Sequence, residues 1–170
     1  MAKFKRNDHV ERLIEDRRAA TPNIPLDGME VLARARRLTL LSRPAIEAVF
    51  AGFGLDTGEF DVLATLRRSN AESVRPTELY RDLMISSGGL TDRLRRLADA
   101  GWIDRTDDDE DKRSKRVRLT SKGRYLIDTA FEADMSVEGE LLSALGHEQV
   151  EQLAELLSML LSAIEKPSIA

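Results

Sequence analysis

The 170-residue sequence has no cysteine, which removes disulfides, thiolate zinc sites and cysteine-based oxidant sensing. Histidine is almost as scarce: His9 and His147 stand at opposite ends of the chain, each near an expected helix start, and neither has a metal-ligand spacing. Both read as surface residues. Gly88-Gly89 lacks the strand before it and the lysine after it that a phosphate loop needs. No catalytic site, metal or cofactor is therefore expected, and the chain does not read as an enzyme. Apolar runs fall short of the ~18 residues needed to span a bilayer, and the opening MAKFKRNDHVERLIEDRR lacks a signal-peptide apolar stretch. The cytoplasm is the default location, with no membrane partner. Internal repeats and low-complexity segments are also missing.

What is present is an ordinary globular balance, 42% hydrophobic and 33% charged, in a chain long enough to bury its own core and to carry an interaction arm. The net charge of -4 argues superficially against a polyanionic partner, but it is unevenly spread. Residues 1–74 carry 12 Lys/Arg against 11 Asp/Glu, residues 75–124 carry 13 against 10, and residues 125–170 carry 1 against 9. Positive charge is concentrated in the middle and acid in the last quarter, so the total is a poor guide.

Periodicity predicts mostly helix. Residues 8–20 form a short amphipathic helix with Val10, Leu13 and Ile14 on one side, ended by Pro22 and Pro25. A long helix starts at Asp27, with Glu30 completing a capping box, and runs to Phe53. Pro44 predicts a kink or break in it, and Gly52 and Gly54 end it. Asp56 or Thr57 caps a third helix with Phe60, Leu63 and Leu66 inward, and Ala71 to Arg75 reads as a connector. Beyond Thr120 a long helix runs to about Leu145. After Gly146 a last one carries Val150, Leu153, Leu156, Leu157, Leu160, Leu161 and Ile164 until Pro167. That last helix is apolar over more than one stripe. Subunit pairing explains this most simply, with an intrachain bundle as the bland alternative.

The organising stretch is Ser86 to Thr120. Pro76 to Met84, with Leu79 and Leu83 inward, supplies a first helix, and Ile85-Ser86 a short turn whose serine can cap the next. Leu90, Leu94 and Leu97 recur at helical spacing, while Ser87, Thr91, Asp92, Arg95 and Asp99 share the opposite side, a polar and arginine-bearing face suited to a major groove. Gly101 stops this helix, and two strands follow, with Val117 and Leu119 alternating against Arg116 and Arg118 around an acidic and basic turn. Helix, turn, helix and hairpin in that order read as a helix-turn-helix with a wing. Five successive acids, Asp107 to Asp111, would repel phosphates if all faced DNA, so some must turn away or be paired.

Leu90-Thr91-Asp92-Arg93-Leu94, Leu97, Gly101-Trp102-Ile103, Arg105, the Asp111-Lys112-Arg113 triplet and Leu119-Thr120 with Gly123 resemble the MarR family of winged-helix transcriptional regulators. The resemblance covers most of the chain. It implies a mainly α fold with a small β wing: an arm at 1–54, a winged helix-turn-helix DNA-binding domain at 55–123 and dimerisation helices at 124–170. It also implies that Arg113 enters the minor groove with Asp111 orienting it. The extra N-terminal helix, Pro25 to Asp27 and the run Phe60 to Arg68 are similar to the family's urate-responsive branch. That likeness implies a switch in which Asp61, Arg68 and Arg93 link an anion pocket to the reading head. The branch has tryptophan where this chain has Arg17, a departure at the ligand site that favours another anion. If Asp61 pairs with Arg93 it steadies the recognition helix, and an anion beside Arg68 would loosen that pair; the plain alternative is three solvated helix charges.

The expectation is a homodimeric, sequence-specific DNA-binding regulator, a repressor released from a palindromic operator by a small anionic or aromatic ligand. Ser87, Thr91 and Arg95 are expected on base edges, and Lys112, Lys115 and Arg81 on phosphates. The rival is a winged-helix module that binds protein instead of DNA.

Overall fold

The structure, a computed structural model, describes residues 7–69, 71–83, 89–107 and 115–165. The expected roles of Ser87, Asp111, Lys112 and Arg113, the Ile85-Ser86 turn, Pro167 and the side chain of Arg81 lie outside the described residues. The chain divides into two compact units, Met1–Ala45 and Ile46–Ala170.

In the first unit, α1 (His9–Ala20) is capped by Asp8, whose carboxylate accepts from the Glu11 amide at 2.9 Å. Val10 and Ile14 are its buried residues, while Leu13, expected beside them, is exposed. The Arg34 guanidinium gathers Asp8 (3.0 Å), Glu11 (2.5 Å) and the Glu30 carbonyl (2.8 Å). Burial alone would raise the Asp8 pKa, but hydrogen bonds from Arg34 and the Glu11 amide outweigh it and hold it below its ordinary value. Helix α2 (Asp27–Gly52) takes Asp27 into its first turn, and the Glu30 carboxylate faces Arg18 and Arg34. Of the kink or break expected at Pro44, the break does not occur, since α2 runs through it. A proline forfeits its own amide bond and crowds one preceding carbonyl, which a long helix can absorb by bending.

The second unit is built around α3 (Thr57–Arg68), which contacts α4 (Pro76–Asp82), α5 (Leu90–Asp99), β2 (Lys115–Leu119) and α6 (Ser121–Leu141). Asp56 is the cap: its carboxylate accepts from the Glu59 amide at 2.8 Å, and Glu59 accepts from the Asp56 amide at 2.9 Å, a reciprocal capping box. Val62 and Leu63 are fully buried in a core with Phe50, Phe60, Leu79, Leu94, Leu97, Ile103, Val117 and Ile127, and the Phe50 and Phe60 rings stack at 4.0 Å. Pro76 opens α4, where it needs no amide bond.

Helix α5 buries Leu90, Leu94 and Leu97 as their spacing predicts. It ends in a Schellman motif: Gly101 takes φ +75°, its amide bonds Ala98 O, and the Trp102 amide bonds Leu97 O, both at 2.9 Å. Strand β1 (Ile103–Asp107) then pairs antiparallel with β2, Ile103 opposite Leu119 and Asp107 opposite Lys115. The connector before α4 holds an unforeseen feature, a bridge from Val74 to Val117 closed by two 2.9 Å backbone bonds. Thr120 caps α6 and donates its hydroxyl to Gly101 O, so one side chain joins the wing to the end of α5. Gly123 lies so close to the Trp102 backbone that a Cβ there would collide with it. Finally α7 (His147–Glu165) has no buried residue.

Candidate nucleic-acid interface and switch site

The outward face of α5 carries Thr91, Asp92, Arg95 and Asp99, all exposed, because the three leucines turn the other face inward. Arg95 lies 3.3 Å from Asp99 and 3.8 Å from Asp92. Such exposed pairs contribute ~0–1 kcal/mol, so the guanidinium is held in place yet is readily given up to a stronger acceptor. Lys115 pairs with Asp107 at the end of the hairpin farthest from Ile103 and Leu119, which neutralises the first of the five acids. Arg118 pairs with Asp104 at 3.1 Å, and Arg116 donates to the Ser73 hydroxyl and carbonyl at 2.7 and 2.8 Å. The basic residues of β2 thus each have a partner, on β1 or at Ser73.

Sequence reasoning missed the residue that fixes α5 to the core. Arg96 donates to Glu59 at 2.6 Å and to Asp56 at 2.7 Å, clasping the capping box of α3. The hydrogen bond from Arg96 to Glu59 raises the arginine's pKa, and Glu59 itself is buried. Only the arginine's place on the face between Thr91 and the leucine stripe hinted at this, since nothing local marks Glu59 as its partner.

The switch residues are partly brought together. Asp61 is half-buried on α3; burial raises its pKa, the Arg93 charge opposes this, and Asp56 adds to it. The Arg93 guanidinium lies across Gly58, where a Cβ would collide with it, so the missing side chain makes its berth. Arg68 is exposed, two turns along α3 from Asp61, roughly 10 Å at helical rise. Arg17 belongs to the other unit, where it is exposed and borders a cavity with Leu13, Asp16, Ala20 and Met29. A further carboxylate escaped notice: Asp134 on α6 is buried, its Oδ1 has no hydrogen-bond partner among the described residues, and burial together with Glu138 and Asp61 raises its pKa. No metal-binding cluster occurs among the described residues, and no single helix there is long and apolar enough to cross a membrane.

Helices α4 and α5 seated on α3, with the β1–β2 hairpin beside them, define a winged helix-turn-helix protein. Residues 55–115 match the model of the MarR family. The chain is 35% identical over 149 residues to the HTH-type transcriptional regulator PecS of Dickeya dadantii, covering 87% of this chain and 90% of that one. A cysteine-to-serine mutant of Escherichia coli MarR, solved with operator DNA, superposes with TM-score 0.67 at 26% identity over 81% of this chain and 99% of that one. The fold also matches a MarR family regulator from Streptomyces coelicolor solved in complex with DNA, at TM-score 0.73 and 21% identity, over 86% of this chain and 92% of that one. The chain belongs to the MarR family.

Proposed function

We infer that this DNA-binding transcriptional regulator is a homodimeric repressor that reads a palindromic operator with two copies of α5 and is released by a small anionic ligand. The observation that carries the reading is the exposed Thr91 and Arg95 face of α5, held out from the core by three buried leucines and the Arg96 clasp. Thr91 and Arg95, with Ser87, read base edges; Arg113, oriented by Asp111, enters the minor groove; Arg81, Lys112 and Lys115 bind phosphates. The division of labour is an arm at 1–54, a reading domain at 55–123 and pairing helices at 124–170. A second copy of the chain is the natural cover for α7, whose Leu156, Met159, Leu161 and Ile164 are each more than half exposed. Its place of work is the cytoplasm.

Release runs through Asp61 and Arg93. An anion beside Arg68 repels Asp61 and loosens its hold on Arg93, and with it the setting of α5. Losing ~1–3 kcal/mol of coupling lowers operator affinity roughly five- to 150-fold. Arginine at position 17, where the urate-responsive branch has tryptophan, favours an anion other than urate.

The test is a mobility shift on the DNA upstream of the chain's own reading frame, over a range of salt. Affinity should fall steeply as salt rises. Arg95→Ala should cost ~1–3 kcal/mol and relax the sequence preference, while Lys115→Ala should weaken all sequences alike and reduce the salt slope by about 1. Unchanged operator preference in Arg95→Ala would refute the base-edge assignment, and absent or salt-insensitive binding would leave a protein-binding module.

A further inference from the structure

A polar cavity of about 380 Å³ opens at the foot of the wing, on the side of α3 that bears Arg67 and away from Asp61. Its walls come from the end of α3, the connector to α4, β2 and the first turn of α6, and its floor is Leu66, Val74 and Val117. Three arginines reach its rim. Arg67 spends its Nε on Asp128 at 2.6 Å, and Arg118 spends its Nε and one terminal nitrogen on Asp104 at 3.2 and 3.1 Å. Arg124 has no ion-pair partner among the described residues. The remaining terminal nitrogens of Arg67 and Arg118 are therefore donors still to be used.

Two hydroxyls in the same wall are set to donate. Ser69 Oγ accepts from the Ala71 amide at 3.2 Å, and Ser73 Oγ accepts from Arg116 Nε at 2.7 Å. With each oxygen already accepting and neither hydroxyl donating to a described residue, both protons are available. The carboxylate that faces this set, Glu72, is loosely placed: it is 3.8 Å from Arg118, beyond hydrogen-bond reach, and its side chain is 90% exposed. Asp128, Asp104 and Glu72 together balance the three arginines, and the rim carries a net charge of +1 only when Glu72 swings away.

We propose that this cavity is a second ligand site, separate from the Asp61 switch, that takes a small phosphorylated metabolite, with Glu72 as its tethered competitor. Donors converging from three arginines and two serines exceed what the two oxygens of a carboxylate can accept, and they match the three terminal oxygens of a phosphate monoester. The volume leaves room for a sugar-sized group over the apolar floor. Occupation ties β2, through Arg118, to α3 and α6, so it sets the stiffness of the wing's root.

The experiment is an NMR titration of the DNA-free, full-length protein with ribose 5-phosphate and, separately, inorganic phosphate, at constant ionic strength, following the amides of residues 71–74 and 117–124. Saturable shifts confined to those amides are expected, with affinity roughly tenfold weaker in Arg124→Ala and a few-fold tighter in Glu72→Gln, the sizes appropriate to losing a charged donor and a loosely held competitor. Both residues are exposed, so folding is not at stake, and the amide spectrum checks it. Shifts that stay linear and equal in all three proteins would mean an adventitious ion only and overturn the proposal. Shifts centred on Thr91 and Arg95 would place the phosphate on the DNA-reading face and overturn it as well.

Discussion

Asp134 is the least comfortable residue in the second unit. A buried carboxylate with an oxygen that no described group satisfies resists ionisation, and the neighbouring charges of Glu138 and Asp61 add to that resistance. Its pKa is raised in the folded state above the ordinary 3.8. The unfolded chain therefore ionises it more easily, and it subtracts stability above its folded pKa, a penalty that fades as pH falls toward 3.8. Asp134→Asn should raise the unfolding midpoint most at pH 7 and progressively less toward pH 4, read by thermal denaturation across that range; parallel curves for the two proteins would contradict it. Gly123 makes the opposite demand, for space. Alanine there drives a methyl into the Trp102 carbonyl, which is backbone and cannot swing aside. Gly123→Ala should lose ~1–3 kcal/mol of stability in denaturant titration.

Among the elements, α5 is set by contacts that its own sequence shows only in part. Its leucine stripe and its Gly101 stop were legible, because periodicity and a left-handed cap are local properties. The Arg96 clasp was not, because Glu59 and Asp56 lie 37 and 40 residues away and are brought near only when α3 packs on α5. Replacing Arg96 with glutamine keeps the helix and its reading face but leaves Glu59 buried without its charge partner. Operator affinity should fall and the unfolding midpoint should drop together, whereas Thr91→Ala should change affinity alone. A calorimetric titration and a melt on both variants separate these outcomes. The bridge between Val74 and Val117 was missed for the same kind of reason: a single pair of backbone bonds leaves no periodic mark on five connector residues.

At the scale of the whole molecule, a 19-residue helix bearing Leu153, Leu156, Leu157, Leu160, Leu161 and Ile164 has no buried residue within one copy of the chain. Fully burying such side chains is worth ~1.5–3 kcal/mol each, so the 37% to 66% of each that stays exposed is a cost that pairing through this helix would remove. Leu156→Glu combined with Leu160→Glu should yield monomers by light scattering. It should also weaken binding to a two-half-site operator far more than to a single half-site, because only the linked pair of reading heads is lost. Equal losses on both duplexes would show that α7 supports the fold of one subunit instead of the pairing of two.

The sequence by itself determined the order of helices, the inward stripe of α5, the hairpin after Gly101 and the family, because each depends on residues a few positions apart and on side-chain volume and polarity. Tertiary structure alone decided which charges matter. It joined Arg96 to the α3 cap, laid Arg93 across Gly58, buried Asp134 beside Asp61, and left Glu72 loose above three arginines. Electrostatic partners act through space, over a few ångströms and through a dielectric set by burial, so the spacing of letters along a chain does not contain them.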